Sequence, residues 1–231
     1  ENKVKQNLEH RRISLGHIEA ERRALPPEEF ARERLGWWEE PTGAVAGLPL
    51  NLWEASARKA TNGQLLAIGV DATPDLAFSS VASAVGVPDG ILLDLVAHRR
   101  GTSWVADEVA RLRADNHPTV VVDLGGPASV FHGDMTDMAV PMLNPSARDV
   151  AQGCAALLDG MIRRSVWHTT EPALTAAVRG ASRRPMGDAW AWSRKNSLVD
   201  ISPLVAATLA LWGTTGGEPD SVYEKRELLT L

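Results

Sequence analysis

Three aspartates stand where the pattern of the sequence changes. Asp71 closes the run Leu65-Leu66-Ala67-Ile68-Gly69-Val70, Asp123 closes Thr119-Val120-Val121-Val122, and Asp200 precedes Ile201-Ser202-Pro203-Leu204-Val205-Ala206-Ala207. The first two runs are apolar and rich in β-branched residues, as buried parallel strands are. The third aspartate stands at a helix entrance, where Ser202 suits the N-cap and Pro203 the first helical position. One Asp at any such place commonly forms a turn or a cap. Three of them in this order predict a carboxylate cluster, and crowded carboxylates repel until a hard cation neutralises them. Such oxygen ligands suit two divalent ions, Mg²⁺ or Mn²⁺, which can activate a water and stabilise the leaving oxygen of a phosphodiester. Phosphodiester hydrolysis is the expected chemistry, with Asp71, Asp123 and Asp200 as catalytic residues and metal ligands.

The elements between the aspartates must bring them together. After Asp71 the turn Ala72-Thr73-Pro74-Asp75 leads into an alternating stretch from Leu76 to Val87, and the turn Pro88-Asp89-Gly90 into a third strand, Ile91 to Ala97. An amphipathic helix follows at about 103–114, with Trp104, Val105, Val109 and Leu112 on one face, ahead of the strand that ends at Asp123. Three antiparallel strands, a helix and a fourth strand open a ribonuclease H-like α/β fold. Its mixed five-stranded sheet, order 3-2-1-4-5, is flanked by helices and sets the fourth strand beside the first. Asp71 and Asp123 are then neighbours.

Further segments carry a family resemblance: 30–38 (FARERLGWW), 101–105 (GTSWV), Trp167-His168 with 172–178 (PALTAAV), and above all 190–195 (WAWSRK) running into 200–207 (DISPLVAA). From about Phe30 to Trp212 the chain resembles the C-terminal nuclease domain of the large terminase subunit of tailed double-stranded DNA bacteriophages. The resemblance implies a metal-dependent endonuclease that cuts double-stranded DNA during genome packaging, with the acidic triad falling on Asp71, Asp123 and Asp200. It implies as partners an ATPase motor domain, the small terminase subunit and the portal or prohead, in the cytoplasm of an infected bacterium. The motor's Gly-x-x-x-x-Gly-Lys-Ser/Thr loop does not occur in this sequence. The charged start, with no initiator Met, looks like a piece of a longer polypeptide. The expected layout is a helical arm at 1–40, a connector at 41–64, the nuclease domain at 65–212 and a flexible tail at 213–231. Helices are expected over Glu1–Leu25 and again from Pro26-Pro27. Two other readings stay open: a portal- or motor-docking domain with a weak or latent nuclease site, and another ribonuclease H-like nuclease such as a junction resolvase.

Composition limits the partners. The chain of 231 residues is 44% hydrophobic, long enough to bury a core, and has no stretch apolar enough to span a bilayer. A net charge of −5 argues against tight autonomous DNA binding, so any grip on phosphates must be local. The basic pairs Arg99-Arg100, Arg163-Arg164, Arg183-Arg184 and Arg194-Lys195 are candidates. Arg183, Arg184, Arg194 and Lys195 are preferred as DNA contacts, because they flank an expected hairpin at 185–196 close to Asp200. Asp75 and Asp188 read as turn residues, Asp94 as a strand residue remote from the site, and His132 and His168 as packing residues rather than ligands. Cys154 reads as a small buried apolar residue, and most of the eight tryptophans as core.

Overall fold

The computed structural model describes residues 15–25, 30, 45–115 and 117–215. It divides into two compact units, 1–44 and 45–231. The first contains α1 (Leu15–Ala24), whose last turn carries Arg22 and Arg23, complementing the negative end of the helix dipole. The helix expected from Pro26 at 26–29 and the tail at 216–231 lie outside the described residues.

The second unit contains β1 (Val45–Ala46), α2 (Leu50–Ala55), β2 (Gln64–Ala72), β3 (Phe78–Val87), β4 (Gly90–Arg100), α3 (Val105–Arg113) and β5 (Thr119–Val122). A 3₁₀ turn, Pro127–Phe131, leads to α4 (His132–Asp137) and β6 (Met142–Leu143). Then come α5 (Ala147–Ile162), β7 (Val166–His168), α6 (Pro172–Gly180), β8 (Ser182–Met186), β9 (Ala189–Trp192) and α7 (Ser202–Gly213). Within the stretch expected to be a connector, β1 and α2 form, and Leu48 and Trp53 are buried in the core.

The main sheet runs β6-β5-β2-β3-β4-β7. Its first five members are the expected order of strands, read from the far edge, with β2 parallel to β5 and antiparallel to β3. The five-strand expectation is corrected by a sixth strand, β7, parallel to β4. With only three residues it is too short to show a period. A second sheet, β1-β8-β9, contains a hairpin that spans 182–192 rather than the expected 185–196, taking Arg183 and Arg184 into its first strand, and that turns at Gly187 with φ 62°.

Alternation along the strands builds two cores. Ile68, Val70 and Ala72 of β2 face α3, the 3₁₀ turn and α4, whereas Ala67 joins α5, α6 and α7 on the other side. Every residue of α7 is buried. A helix that is apolar all round belongs in a core, and this one lies across β2 and β3. Gly69 permits the approach: a Cβ there would stand 2.0 Å from the Ala206 carbonyl oxygen. Among the described residues no helix is long and apolar enough to cross a membrane.

Candidate active site

Parallel pairing of β2 with β5 aligns Val70 with Val122, so the next residues, Asp71 and Asp123, occupy adjacent positions at the carboxyl ends of neighbouring strands. Ligand sites of open α/β sheets favour this edge. Asp71 lies within β2 and is 1% exposed. Asp123 is half-buried just past β5, and its Oδ1 accepts the Gly125 N–H at 2.9 Å, while Asn144 Oδ1 accepts the Leu124 N–H at 3.0 Å.

Asp200 sits at the amino end of α7. Its Oδ1 accepts the Ser202 N–H at 2.7 Å, so the aspartate satisfies the helix entrance that Ser202 was expected to cap. Ser202 instead lies in the first turn, and its hydroxyl is 2.9 Å from Ser80 Oγ. Ser80 in turn lies 3.0 Å from His98 Nδ1, and His98 Nε2 is 3.7 Å from Asp200 Oδ2. Because Ser80 pairs across the strands with Asp71, this chain of polar groups ties Asp200 to the strand beside Asp71. Sequence alone marks neither Ser80 nor His98 as a site residue, and marks Ser202 only as a cap. Their signal is faint: polar residues on the inward face of otherwise apolar strands and a helix.

Arg194, expected on DNA phosphates, points inward. Its Nη2 donates to Asp71 Oδ1 at 2.6 Å and Oδ2 at 2.7 Å, and Nη1 donates to the Ala72 carbonyl at 3.3 Å. Burial lifts the Asp71 carboxyl from its ordinary 3.8 to about 7; Arg194 opposes the rise, and the Asp123 charge adds a little to it. A carboxyl whose folded-state value is raised contributes stability that is complete below the unfolded value and is lost as pH climbs through the folded one. The wild type is therefore expected to lose stability relative to Asp71→Asn between pH 4 and 7. Urea midpoints at pH 4.5 and 7.5 check this; a constant gap between the two proteins would show that Asp71 keeps its ordinary titration.

The other preferred DNA contacts lie on or just past the β8–β9 hairpin. Arg183 stacks over Trp190 at 3.9 Å and donates through Nε to the Gly47 carbonyl, Arg184 donates to the Trp192 carbonyl, and Lys195 is exposed. Arg163 pairs with Asp159, and Arg99 lies over Trp104. Asp75 Oδ1 closes its turn on the Ala77 N–H, and Asp94 accepts from Thr169. His168 is buried, stacked on Trp53 at 3.5 Å, with both ring nitrogens 2.7 Å from carbonyl oxygens. Cys154 is buried.

Among the described residues no three acidic, His or Cys side chains are drawn close enough to hold an ion. Asp71 is engaged by Arg194, and Asp200 Oδ1 by the helix entrance. The donor chemistry nevertheless suits a hard cation: the three aspartates offer only oxygens, and Asp200 Oδ2 is buried without a hydrogen-bond partner.

No family model and no curated protein matches the sequence. Solved structures match the fold. The large terminase of bacteriophage HK97 aligns at a TM-score of 0.59 and 14% identity over 84% of this chain, which spans 49% of that protein. The large terminase nuclease of thermophilic phage G20c, solved with bound magnesium, aligns at a TM-score of 0.52 and 17% identity, over 74% of this chain and 98% of that one. The same nuclease with bound cobalt gives a TM-score of 0.53 at 14% identity. The chain thus shares the fold of phage large terminase nuclease domains.

Proposed function

We propose that this chain is the nuclease domain of a phage large terminase, a divalent-metal-dependent endonuclease that cuts double-stranded DNA into genome ends. The observation that carries the reading is Asp71, a nearly inaccessible carboxylate at the carboxyl end of a central strand, with Asp123 next to it on the parallel neighbour and Asp200 at the mouth of α7. It stands in a fold shared with a nuclease solved with magnesium.

In this reading Asp71, Asp123 and Asp200 hold two Mg²⁺ or Mn²⁺ ions. Bound ions would lower the pKa of a water and offset charge on the phosphate. The protein's part is positional. Sheet pairing fixes the first two carboxylates, and the Ser202–Ser80–His98 chain fixes the third. Of the expected DNA contacts, Arg184 and Lys195 are the two that are exposed, and they would meet phosphates. The ATPase domain, small subunit, portal and bacterial cytoplasm belong to the same proposal. Incubation of supercoiled plasmid with the purified chain and Mg²⁺ or Mn²⁺ is expected to give nicked and linear products; no product with either ion would sink the reading.

The ions serve chemistry, not folding, because two apolar cores flank the sheet. Chelation with EDTA is therefore expected to leave one cooperative thermal transition. Loss of that transition would make the metal structural. One observation favours the second reading, a docking domain with a latent site: both oxygens of Asp71 are already taken by Arg194.

A further inference from the structure

Arg194 follows β9 in a tightly tethered loop. Ser193 N–H donates to the Ser182 carbonyl at 2.8 Å, Ser182 Oγ donates to the Asn196 carbonyl at 2.9 Å, and Ser197 Oγ returns to the Ser193 carbonyl at 2.6 Å. This frame aims the guanidinium at Asp71 from 123 residues away in the chain. The contact is two-pronged, charge-assisted and sheltered, since Asp71 is 1% and Arg194 27% exposed. Among the described residues it differs from the other Arg–carboxylate pairs at 2.7–2.8 Å, Arg58–Asp89 and Arg163–Asp159, in which every partner is at least 32% exposed.

We infer that Arg194 is an internal cation standing where a divalent ion would neutralise Asp71, so that an ion can engage this carboxylate only as the guanidinium leaves it. The inference rests on the reading of Asp71 as a metal ligand. Its physical basis is simple. A carboxylate this deeply buried is costly unless a positive charge faces it, and Arg194 supplies that charge. A guanidinium and a divalent ion on the same two oxygens repel each other strongly at low dielectric. Arg194 therefore orients Asp71, opposes the loss of its charge and sets a threshold for metal entry. It also keeps the site latent until that threshold is met, which reconciles the nuclease reading with the engaged carboxylate.

The test measures binding rather than cleavage. Calorimetric titration with Mn²⁺ should show Arg194→Gln, which keeps a hydrogen-bond donor but loses the charge, binding about tenfold more tightly than wild type. Arg194→Lys, which keeps the charge, should stay near wild type. In the wild-type chain, saturating Mg²⁺ should shift the protected guanidinium NMR signals of Arg194 toward those of a solvent-exposed arginine. That readout holds even if the Gln variant folds poorly. Equal or weaker Mn²⁺ binding by Arg194→Gln, or guanidinium signals unmoved at saturating Mg²⁺, would overturn the inference. Asp71→Asn separates the two levels: if it binds Mn²⁺ as wild type does, the reading of Asp71 as a ligand fails, and the inference with it.

Discussion

Asp71→Asn, Asp123→Ala and Asp200→Ala should each depress Mg²⁺-dependent plasmid nicking by about three orders of magnitude, since each removes an anionic carboxylate from ions expected to supply several kcal/mol of transition-state stabilisation. Asn is chosen at position 71 because truncation there would strand the half-buried Arg194. Breaking such a buried pair costs about 3–5 kcal/mol of folding stability. At Asp123 the lost fold contact is a single turn hydrogen bond, and at Asp200 a helix-entrance bond of about 1 kcal/mol. Circular dichroism should therefore report folded proteins while gel electrophoresis reports lost cleavage. A folded variant that nicks plasmid at the wild-type rate would remove its residue from the catalytic set.

Gly69→Ala is expected to be among the most damaging single-methyl changes in the fold. The added Cβ would lie 2.0 Å from the Ala206 carbonyl oxygen and 2.5 Å from the Ala210 nitrogen, both backbone atoms of α7 that no rotamer change can move aside. The helix must lift from the sheet, at a cost of about 3 kcal/mol, the upper part of the range for overpacking. For a domain of this size that is a fall in Tm of about 6–12 °C. Because α7 begins two residues past Asp200, displacement should also carry the third aspartate away from Asp71. The control is Gly133→Ala, where an added Cβ meets nothing within 4 Å. Calorimetric melts of both variants decide the matter: equal Tm values would mean that α7 and β2 do not meet at Gly69.

What could be read from sequence was whatever repeats along the chain. The long strands β2, β3 and β4 announced themselves by runs and alternation, and the four-residue β5 by its three consecutive valines. Two of the aspartates were placed by the strands that precede them. The two- and three-residue strands β1, β6 and β7 carry no period, and only their partners define them. The inward turn of Arg194 was invisible for a different reason. A basic pair ahead of Asp200 looks like any solvated surface pair, and its partner lies on a strand much earlier in the chain. The same is true of Ser80, His98 and Ser202, which acquire meaning only where β3, β4 and α7 converge. Ser202 also shows how a local rule is displaced: a better acceptor two residues upstream took over the helix entrance and freed the hydroxyl for the interior.

The borders of the main sheet are where a strand of another copy could add to it. One border is β6, only two residues long. The other is β7, whose outer side is already met by the chain after α2: His168 N–H donates to the Ser56 carbonyl and Arg58 N–H to the His168 carbonyl. Neither border offers a long row of exposed backbone donors and acceptors on which another chain could template a strand. The long, apolar strands that would be most prone to fibril-like stacking are held in the middle of the sheet. At this sheet, the shortest strands at the outside thus guard against edge-to-edge strand pairing.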